Sequence, residues 1–443
     1  MALGVSSRLA GAHWGLSPKI SMWLYTAIVR PIVTYACVVW SNKTTQKTTA
    51  TKLNSLQRMA CLMVTGGMST TPGIALDALL GLQPLHLMVQ RTAKTRMYKL
   101  RALGQTNWIS KTLRSILDSM SDNLVLGMPP DIMAPILSTG RLYTIELPSR
   151  EEWLKNQLTW KTGALHWYTD GSKKGHKVGC GVFGETPKSS FSTSLGIYAS
   201  VFQAEVFAII ECAGENLRRK YTRQTIYIHS DSRAALLALT SVHVSSRLVS
   251  DCVNVLNELG KNNKVILRWV PGHEGIAGNE RADELARKGA EGPPQGPEPF
   301  CGVPYSLALQ TLKHLSIKES LTIWHDTPGL RHSKALIKPF VNKSASEALA
   351  LSRNNLCIMV RLLTGHCRLN KHLTNIKVTD DKICRICQDD EETPEHILCS
   401  CGPLMHKRFN ILGQHFLHPE DIKALTAKQL ISFIESTGLS SEL

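Results

Sequence analysis

The stretch between residues 163 and 290 alternates short strand-like runs with segments of helical periodicity. Such alternation is typical of an α/β domain, in which helices flank a sheet. We expect strands over residues 165–169, 178–183, 226–229 and 265–270, and helices over residues 203–217 and 279–288. This segment constrains the fold of the chain more than any other part of the sequence.

Four acidic side chains accompany this pattern. Asp170 and Asp231 are expected at strand ends, Glu205 in the first turn of a helix, and Asp283 on another helix. Four such acids can converge on one pocket, although they would repel one another without a cation. Oxygen ligands of this kind suit Mg²⁺ or Mn²⁺. Two ions about 3.5–4 Å apart can activate a water molecule and stabilise a leaving 3′ oxygen.

The segments around these acids closely resemble the motifs of the ribonuclease H family. They are residues 168–172 (YTDGS), 203–205 (QAE), 229–232 (HSDS) and 272–283 (GHEGIAGNERAD). The resemblance implies a ribonuclease H-like fold over residues 161–290, with a mixed five-stranded sheet flanked by helices. It also implies an endoribonuclease that hydrolyses the RNA strand of RNA–DNA hybrids with two divalent ions. The implied metal ligands are Asp170, Glu205, Asp231 and Asp283, and His273 corresponds to the family's mobile histidine, which helps to protonate or release the product.

Each of these residues also has an ordinary structural interpretation. A strand-end Asp often serves as a turn or cap residue, Glu205 suits the first turn of any helix, and His273 suits any loop. For the hybrid, whose 2′-hydroxyls mark the RNA strand, we expect contacts from Gly171, Ser172, Ser232 and Asn279. Asn279 is equally compatible with a helix N-cap. No Lys/Trp-rich protrusion interrupts residues 247–264, so hybrid binding is expected to depend on the flanking regions.

The charge balance points to a polyanionic partner. The formal net charge is +16, and Asp77 is the only acidic residue before Asp118. Nucleic acid is the expected partner, and a protein that lies on an acidic membrane surface is the alternative. Arg30 and Pro31 interrupt the longest apolar stretch, so no membrane span is expected. With no recognisable signal peptide, we expect an intracellular protein of the nucleus or cytoplasm, with reduced cysteines and no obligate protein partner.

Four further segments flank the α/β domain. Residues 1–105 read as helices, residues 106–160 as a tether, residues 291–335 as a linker and residues 336–443 as a helical C-terminal module. Residues 24–35 and 53–65 resemble the region after the palm in reverse transcriptases of jockey-type non-LTR retrotransposons. The Tyr-X-Asp-Asp polymerase motif is missing, so no primer extension is expected. The alternative to an active enzyme is a catalytically inactive, nucleic-acid-binding retrotransposon remnant.

The C-terminal module contains a cysteine and histidine cluster. Its spacing is Cys384-X2-Cys387-X8-His396-X4-Cys401, which suits a structural Zn²⁺ site with three thiolates and one imidazole. Cys399 competes with Cys401 for the fourth position, and the preference for Cys401 follows the spacing in the family. The alternative is that these cysteines bind no metal. The same tail, including residues 363–366, resembles the end of jockey-type open reading frames.

Overall fold

The structure is a computed structural model that describes residues 15–106, 110–155, 163–294 and 296–443. These residues form two compact units. The central unit runs from Arg96 to Thr311, and the terminal unit combines the described residues up to Thr95 with Leu312–Leu443. Residues 1–14 of the predicted N-terminal helical segment, 107–109 and 156–160 of the predicted tether, and 161–162 of the predicted ribonuclease H domain lie outside the described residues. The same holds for residue 295 of the predicted linker.

A mixed sheet organises the central unit. The strands are β1 (Ile132–Leu137), β2 (Tyr143–Glu146), β3 (Leu165–Lys174), β4 (Lys177–Thr186), β5 (Ser189–Gly196), β6 (Thr225–Ser230), β7 (His243–Ser246) and β8 (Lys264–Trp269). The main sheet has the order β2-β8-β6-β3-β4-β5, while β1 pairs with β7. Strands β3, β4 and β5 are antiparallel, and β3, β6, β8 and β2 are parallel. The predicted mixed sheet is confirmed, and the five strands expected within residues 161–290 are joined at one edge by a sixth strand, β2.

The sixth strand comes from the segment that the sequence predicts to be a tether. Strand β2 pairs with β8 from Tyr143↔Val265 to Glu146↔Arg268. The described part of this segment also contains helices over Lys111–Ser121, Leu124–Gly127 and Arg150–Lys155. The four residues of β2, Tyr-Thr-Ile-Glu, alternate apolar and polar, but a run this short is the weakest strand signal. Residues 106–160 are therefore partly folded onto the central unit rather than a tether alone.

Four helices pack on the main sheet or beside it. They are α1 (Val201–Arg218), α2 (Arg233–Thr240), α3 (Arg247–Gly260) and α4 (Ala277–Glu291). Cys180 and Val182 of β4 belong to the core that contains the apolar residues of α1 and α3. Gly179 and Gly181 alternate with them: a Cβ at Gly179 would lie 2.1 Å from the backbone nitrogen of Ala290 on α4. Glycine in β4 therefore lets α4 lie directly on the sheet.

The terminal unit is helical. Its helices are Pro18–Leu24, Tyr25–Val29 (a π-helix), Arg30–Thr34, Cys37–Trp40, Lys47–Thr65, Gly73–Leu79, Arg331–Leu336, Asn342–Leu349, Arg353–Thr364, Asn370–Asn375, His396–Ser400 (a π-helix), Met405–Leu412, Pro419–Ile422 and Ala427–Thr437. Helices Leu85–Ala102 and Tyr305–Asp326 begin in one unit and end in the other. The second of these, with 22 residues, occupies about half of the predicted linker, so the linker is not extended throughout.

One hydrophobic core joins the two chain segments of the terminal unit. Tyr25 and Leu76 from the first segment and Val360 and Phe433 from the second are all buried in it. Arg353 adds polar contacts, because its guanidinium donates hydrogen bonds to the backbone oxygens of Leu16 and Met63. The sequence predicts the N-terminal helices and the C-terminal module as separate segments. In the structure, their apolar faces pack against each other in one core.

Among the helices of the described residues, no single one is long and apolar enough to cross a membrane. Pro18–Thr34 and Cys37–Thr45, a pair bent by 58°, reach that length and apolar composition only when taken together.

Candidate active site

Strands β3 and β6 place two of the predicted acids next to each other. Their parallel register ends at Thr169↔Ser230, so Asp170 and Asp231 are the next residues on neighbouring strands. Asp231 directly follows β6, as predicted. Asp170 lies inside β3, opposite Gly181 of β4, because β3 continues to Lys174 as one arm of a hairpin. The prediction that Asp170 ends its strand is therefore wrong.

Helix α1 supplies the third acid. It begins at Val201 behind a capping box of Ser200 and Gln203. Glu205 therefore lies just beyond the first turn, and the prediction that it lies in the first turn is wrong. A Cβ at Gly171 would lie 2.7 Å from the backbone nitrogen of Glu205. Glycine at this position of β3 therefore lets α1 approach the strand closely and brings Glu205 beside Asp170.

These three carboxylates form a compact group. One oxygen each from Asp170, Glu205 and Asp231 lies within 4.8 Å of the other two. Asp170 and Glu205 are each only 6% exposed, and Oε2 of Glu205 has no hydrogen-bond partner. Burial, and after it the negative charge of the neighbouring acids, raises the pKa of both Asp170 and Glu205 above the ordinary range.

The donor set of this group fits a divalent cation. It consists of carboxylate oxygens alone, which are the ligands that Mg²⁺ and Mn²⁺ prefer. A cation would pair with the orphaned oxygen of Glu205 and would remove the repulsion that raises the pKa values. The residues present are therefore suited to the ions that the sequence predicts.

Asp283 does not join the group. It lies half-buried on α4, and its carboxylate forms an ion pair with Arg287 one turn further along the helix. Its negative charge still contributes to the raised pKa of Asp170. The structure thus brings together three of the four predicted ligands. The fourth, Asp283, is paired with the guanidinium of Arg287 instead.

Asn279 contacts the group through its side chain. It is 4% exposed, and its Nδ2 donates a hydrogen bond to Oδ2 of Asp231 at 3.3 Å. Helix α4 begins at Ala277 with Ile276 as the N-cap, so the N-cap interpretation of Asn279 is wrong. A sequence motif cannot show this contact, because it depends on how α4 is docked against β6.

The other predicted nucleic-acid contacts have varied surroundings. Ser232 caps α2, and its Oγ accepts a hydrogen bond from the backbone nitrogen of Ala235 at 3.3 Å. Ser172 is half-buried in β3, opposite Gly179. Gly171 lies against α1, as described above. Their contacts with nucleic acid remain predictions.

His273 lies in the loop between β8 and α4. The residue is exposed and has a φ of 58°, in the left-handed region. Its neighbour Gly272 passes close to Asp231, since a Cβ there would lie 2.8 Å from Oδ2 of Asp231. The loop backbone next to His273 therefore passes close to the carboxylate group, and the His273 side chain is accessible to solvent.

Two further residues at this site were not predicted. Trp269 at the end of β8 donates a hydrogen bond from Nε1 to the backbone oxygen of Asp231 at 3.0 Å. Arg287 pairs with Asp283, and this contact has a sequence signal, because residues four apart on a helix are neighbours. The tryptophan contact has no such signal, because it arises from the pairing of β6 with β8.

A second candidate site lies in the terminal unit. One ligand atom each from Cys384, Cys387, His396 and Cys401 lies within 4.8 Å of the others, and Cys387 Sγ is 3.3 Å from His396 Nε2. The first two residues lie on a turn closed by the hydrogen bond from the backbone nitrogen of Gln388 to the oxygen of Cys384, at 2.9 Å. The other two lie at the ends of the π-helix His396–Ser400, where Cys401 is the C-cap.

The surroundings of this second group suit a metal ligand at His396. Nδ1, the ring nitrogen that faces away from Cys387, lies 3.2 Å from Ser400 Oγ and 3.6 Å from Asp390 Oδ2. Such partners orient a ligating imidazole. Cys399 is buried but does not belong to the group. The arrangement of three thiols and one imidazole therefore includes Cys401 in the fourth position.

The mixed sheet, its flanking helices and the carboxylate group of Asp170, Glu205 and Asp231 define an α/β domain with a candidate metal site. Residues 162–291 match the sequence model of the RNase H family, so this part of the chain is an RNase H domain. The match confirms the ribonuclease H-like fold that the motifs predict, and it begins and ends within one residue of the predicted domain.

Individual relatives agree with this assignment. A 115 kDa protein in the type-1 retrotransposable element R1DM of Drosophila melanogaster is 28% identical over 108 residues, which are 24% of this chain and 11% of that protein. A ribonuclease H of Schizosaccharomyces pombe is 32% identical over 142 residues, which are 28% of this chain and 52% of that protein. The chain thus spans between a tenth and about half of the lengths of these two relatives.

Among solved structures, RNase H1 from the halophilic archaeon Halobacterium salinarum NRC-1 is similar. The alignment covers 29% of this chain and 98% of that chain, with 23% sequence identity and a TM-score of 0.24.

Proposed function

We propose that the central unit is an endoribonuclease that hydrolyses the RNA strand of RNA–DNA hybrids with two Mg²⁺ or Mn²⁺ ions. The observation that carries this proposal is the carboxylate group of Asp170, Glu205 and Asp231, inside the segment that matches the RNase H family. Ions held there supply an activated water molecule and stabilise the leaving oxygen. The unpaired, buried Oε2 of Glu205 supports such a role, because a buried anion without a partner is costly.

The protein groups divide the work between binding and proton transfer. Asp170, Glu205 and Asp231 hold the ions, and Asn279 holds the carboxylate of Asp231 in place. Asp283 completes the ligand set once its carboxylate leaves Arg287. His273, on its exposed loop, donates a proton from its ring to the 3′ oxygen of the departing RNA strand.

Substrate recognition uses the rim of the same site. We assign contacts with the sugar and phosphate groups of the hybrid to the backbone of Gly171 and to the side chains of Ser172, Ser232 and Asn279. The Ser232 hydroxyl accepts a hydrogen bond from α2, which leaves its proton available for donation to a phosphate oxygen. The chain's net charge of +16 supports binding of a polyanion.

A second candidate function is nucleic-acid binding without catalysis. The ion pair between Asp283 and Arg287 favours it, because a ligand set of three carboxylates is incomplete relative to the four that the family resemblance implies. In this alternative, the chain binds hybrids through its basic surface but does not cleave them.

Cleavage of a labelled RNA–DNA hybrid by the purified full chain tests the proposal. We expect cleavage of the RNA strand with Mg²⁺ and none after chelation, and we expect Asp170→Asn to lose at least about 3–4 kcal/mol of barrier reduction. The matched control is Asp251→Asn, which changes an exposed aspartate on α3. Hybrid binding by the wild-type chain without any cleavage would establish the alternative.

We also propose that the chain derives from a retrotransposon and holds one structural Zn²⁺. Similarity to the protein of the R1DM element supports the origin. The convergence of Cys384, Cys387, His396 and Cys401 supports the zinc, since three thiolates and an imidazole form a typical structural site. No template-directed primer extension is expected from this chain.

A further inference from the structure

The terminal unit contains a cavity of about 320 Å³ that neither the RNase H domain nor the zinc group uses. Three histidines line it: His332 on helix Arg331–Leu336, His366 after helix Arg353–Thr364, and His372 on helix Asn370–Asn375. Three chain segments that are separate in sequence thus each direct one imidazole to the same space. A single buried histidine is often structural, but three around one cavity form a candidate binding site.

Two of these imidazoles have ring nitrogens without partners. His372 is 9% exposed, and its Nε2 is buried with no hydrogen bond. Nδ1 of His332 is buried and unpaired as well. The third, His366, has Nδ1 3.0 Å from Oγ1 of Thr70. Because buried polar atoms in proteins nearly always have a partner, the two unpaired nitrogens are candidate contacts for a ligand in the cavity.

The charges around the cavity favour an anion. Arg331 lines it at an exposed position, while Lys371, which also lines it, is paired with Glu391 at 2.8 Å. The one carboxylate in the lining, that of Glu392, is already neutralised. Arg385 donates from Nε to Glu392 at 2.8 Å, and the backbone nitrogen of Asn370 donates to it at 2.7 Å. Burial is the main reason that the pKa of each histidine is lowered, so each neutral ring offers one N–H donor.

The spacing of the histidines argues against a metal ion. In the part of the chain that the structure describes, two groups have ligand atoms that all lie within 4.8 Å of one another, and the three histidines are not one of them. Ligands about 2.0–2.1 Å from a metal lie closer together than that. An oxyanion has several oxygens and can receive hydrogen bonds from donors that are farther apart.

We propose that this cavity binds the phosphate group of a mononucleotide-sized ligand. Imidazole N–H groups of His332, His366 and His372 donate to the phosphate oxygens, and Arg331 at the exposed rim adds charge. The cavity volume lies at the lower end of the range for small-molecule sites and exceeds what a phosphate ion alone needs. Apolar lining from Pro72, Leu330 and Ile376 provides room for a sugar and base. The site does not rest on the proposed nuclease activity.

Calorimetric titration of the full chain with a 5′-mononucleotide, in the absence of Mg²⁺, tests the proposal. We expect binding, and we expect His372→Gln to weaken it about tenfold or more, because a hydrogen bond to a charged group is lost. Arg331→Gln, at an exposed position where folding is not at risk, is expected to weaken it several-fold. His314→Gln, at an exposed histidine outside the cavity, is the matched control and should bind as the wild type does.

Orthophosphate and a short single-stranded oligonucleotide serve as the other arms. Tighter binding of the mononucleotide than of orthophosphate supports the proposal, and so does an oligonucleotide that binds only when it carries a terminal phosphate. No heat of binding at millimolar mononucleotide would overturn it, and so would equal binding by the wild type, His372→Gln and Arg331→Gln. Binding of Zn²⁺ or Co²⁺ at these histidines in preference to phosphate would overturn it as well. Shifts of the histidine proton resonances in NMR spectra would reveal such metal binding. Hybrid cleavage is not a readout, so this proposal and the nuclease proposal can fail separately.

Discussion

Asn279 and Asp231 are joined by a hydrogen bond of 3.3 Å between Nδ2 and Oδ2, although 48 positions separate them in the chain. The contact links α4 to the end of β6. Its donor side is a buried amide, and its acceptor side is an oxygen of the carboxylate group. Asn279 is therefore a positioning residue for Asp231 in addition to any contact it makes with the substrate.

Replacing Asn279 by alanine should raise the Mg²⁺ concentration required for hybrid cleavage. Residues that orient a metal ligand typically change metal affinity or activity by about 10–100-fold when they are lost. The measurement is the cleavage rate as a function of Mg²⁺ concentration. Asn262→Ala, at an exposed position, is the control. A lower maximal rate with an unchanged Mg²⁺ dependence would assign Asn279 to the substrate alone.

Asp283→Asn should reduce hybrid cleavage less than Asp170→Asn does. Asp170 belongs to the carboxylate group, whereas Asp283 lies outside it and forms an ion pair with Arg287. We expect a loss of about tenfold for Asp283→Asn, against at least about 10²-fold for Asp170→Asn. Turnover numbers of the two variants at saturating Mg²⁺ provide the comparison. Equal losses would show that Asp283 contributes as much to the metal centre as Asp170 does.

His273→Ala should slow hybrid cleavage without abolishing it. A proton-transfer group typically contributes about 10²–10⁴-fold, and the metal ligands remain in this variant. Because His273 has a φ of 58°, His273→Asn is the better-matched variant, since asparagine tolerates the left-handed region. Both variants should lose similar activity in single-turnover assays. Recovery of the wild-type rate by His273→Asn would attribute the effect to the loop backbone instead of the imidazole.

The sequence predicted the parts of the central unit that depend on local pattern. The strands around Tyr168 and Ile228 and helix α1 appear where periodicity placed them, within a few residues. Strand β5 was not predicted, because the polar residues of Ser189–Gly196 hide any apolar alternation. Strand β2 was not predicted, because four residues give only a short signal, although Tyr143, Thr144 and Ile145 favour strands.

The candidate sites follow the same division. The motif around Asp231 revealed the acid, but its contacts with Asn279 and Trp269 arise from docking of α4 and β8 against β6. Likewise, spacing predicted the group of Cys384, Cys387, His396 and Cys401, since most of its geometry lies in one turn and one π-helix. The three-histidine cavity left no pattern in the sequence, because His332 lies 34 positions before His366 and joins it only through the packing of the helices.

The stability of the terminal unit should fall as pH rises from about 4 to about 7. Asp77 is 4% exposed, and burial raises its pKa from 3.8 to about 7. The folded state therefore holds this proton more tightly than the unfolded state does. The resulting stabilisation is fully present below about pH 4 and is lost as pH approaches the folded pKa. A shift of this size corresponds to about 4 kcal/mol.

Asp77→Asn should remove this part of the pH dependence. Asparagine keeps an oxygen that can accept the hydrogen bond which Gln57 Nε2 donates to Asp77 Oδ1 at 2.8 Å. The free energy of unfolding in urea, measured at about pH 4.5 and about pH 7 for the variant and the wild type, gives this difference. Asp326→Asn, at an exposed aspartate, should leave the pH dependence unchanged. A variant with the full wild-type dependence would show that other groups cause it.

The proposed zinc group predicts one Zn²⁺ per chain in metal analysis of the purified protein. Cys384→Ser should lose the zinc, because it removes one of four converging ligands, and the two thiols and one imidazole that remain bind zinc more weakly. Cys399→Ser should keep it, because Cys399 is buried outside the group. Loss of zinc from Cys399→Ser together with its retention in Cys401→Ser would reverse the choice of fourth ligand.

Chelation of this zinc should unfold the terminal unit and spare the RNase H domain. Cys384 and Cys401 are fully buried in the core that also contains Tyr25 and Val360, so the metal supports both chain segments of that unit. Structural zinc sites contribute folding free energy directly, and removal of the ion withdraws it. The core of the central unit is built from other residues, so hybrid cleavage should return once Mg²⁺ is restored. Thermal unfolding with and without chelator measures the first effect, and the cleavage assay measures the second. A chelated protein that keeps the wild-type unfolding curve would show that the four side chains hold their core together without a metal.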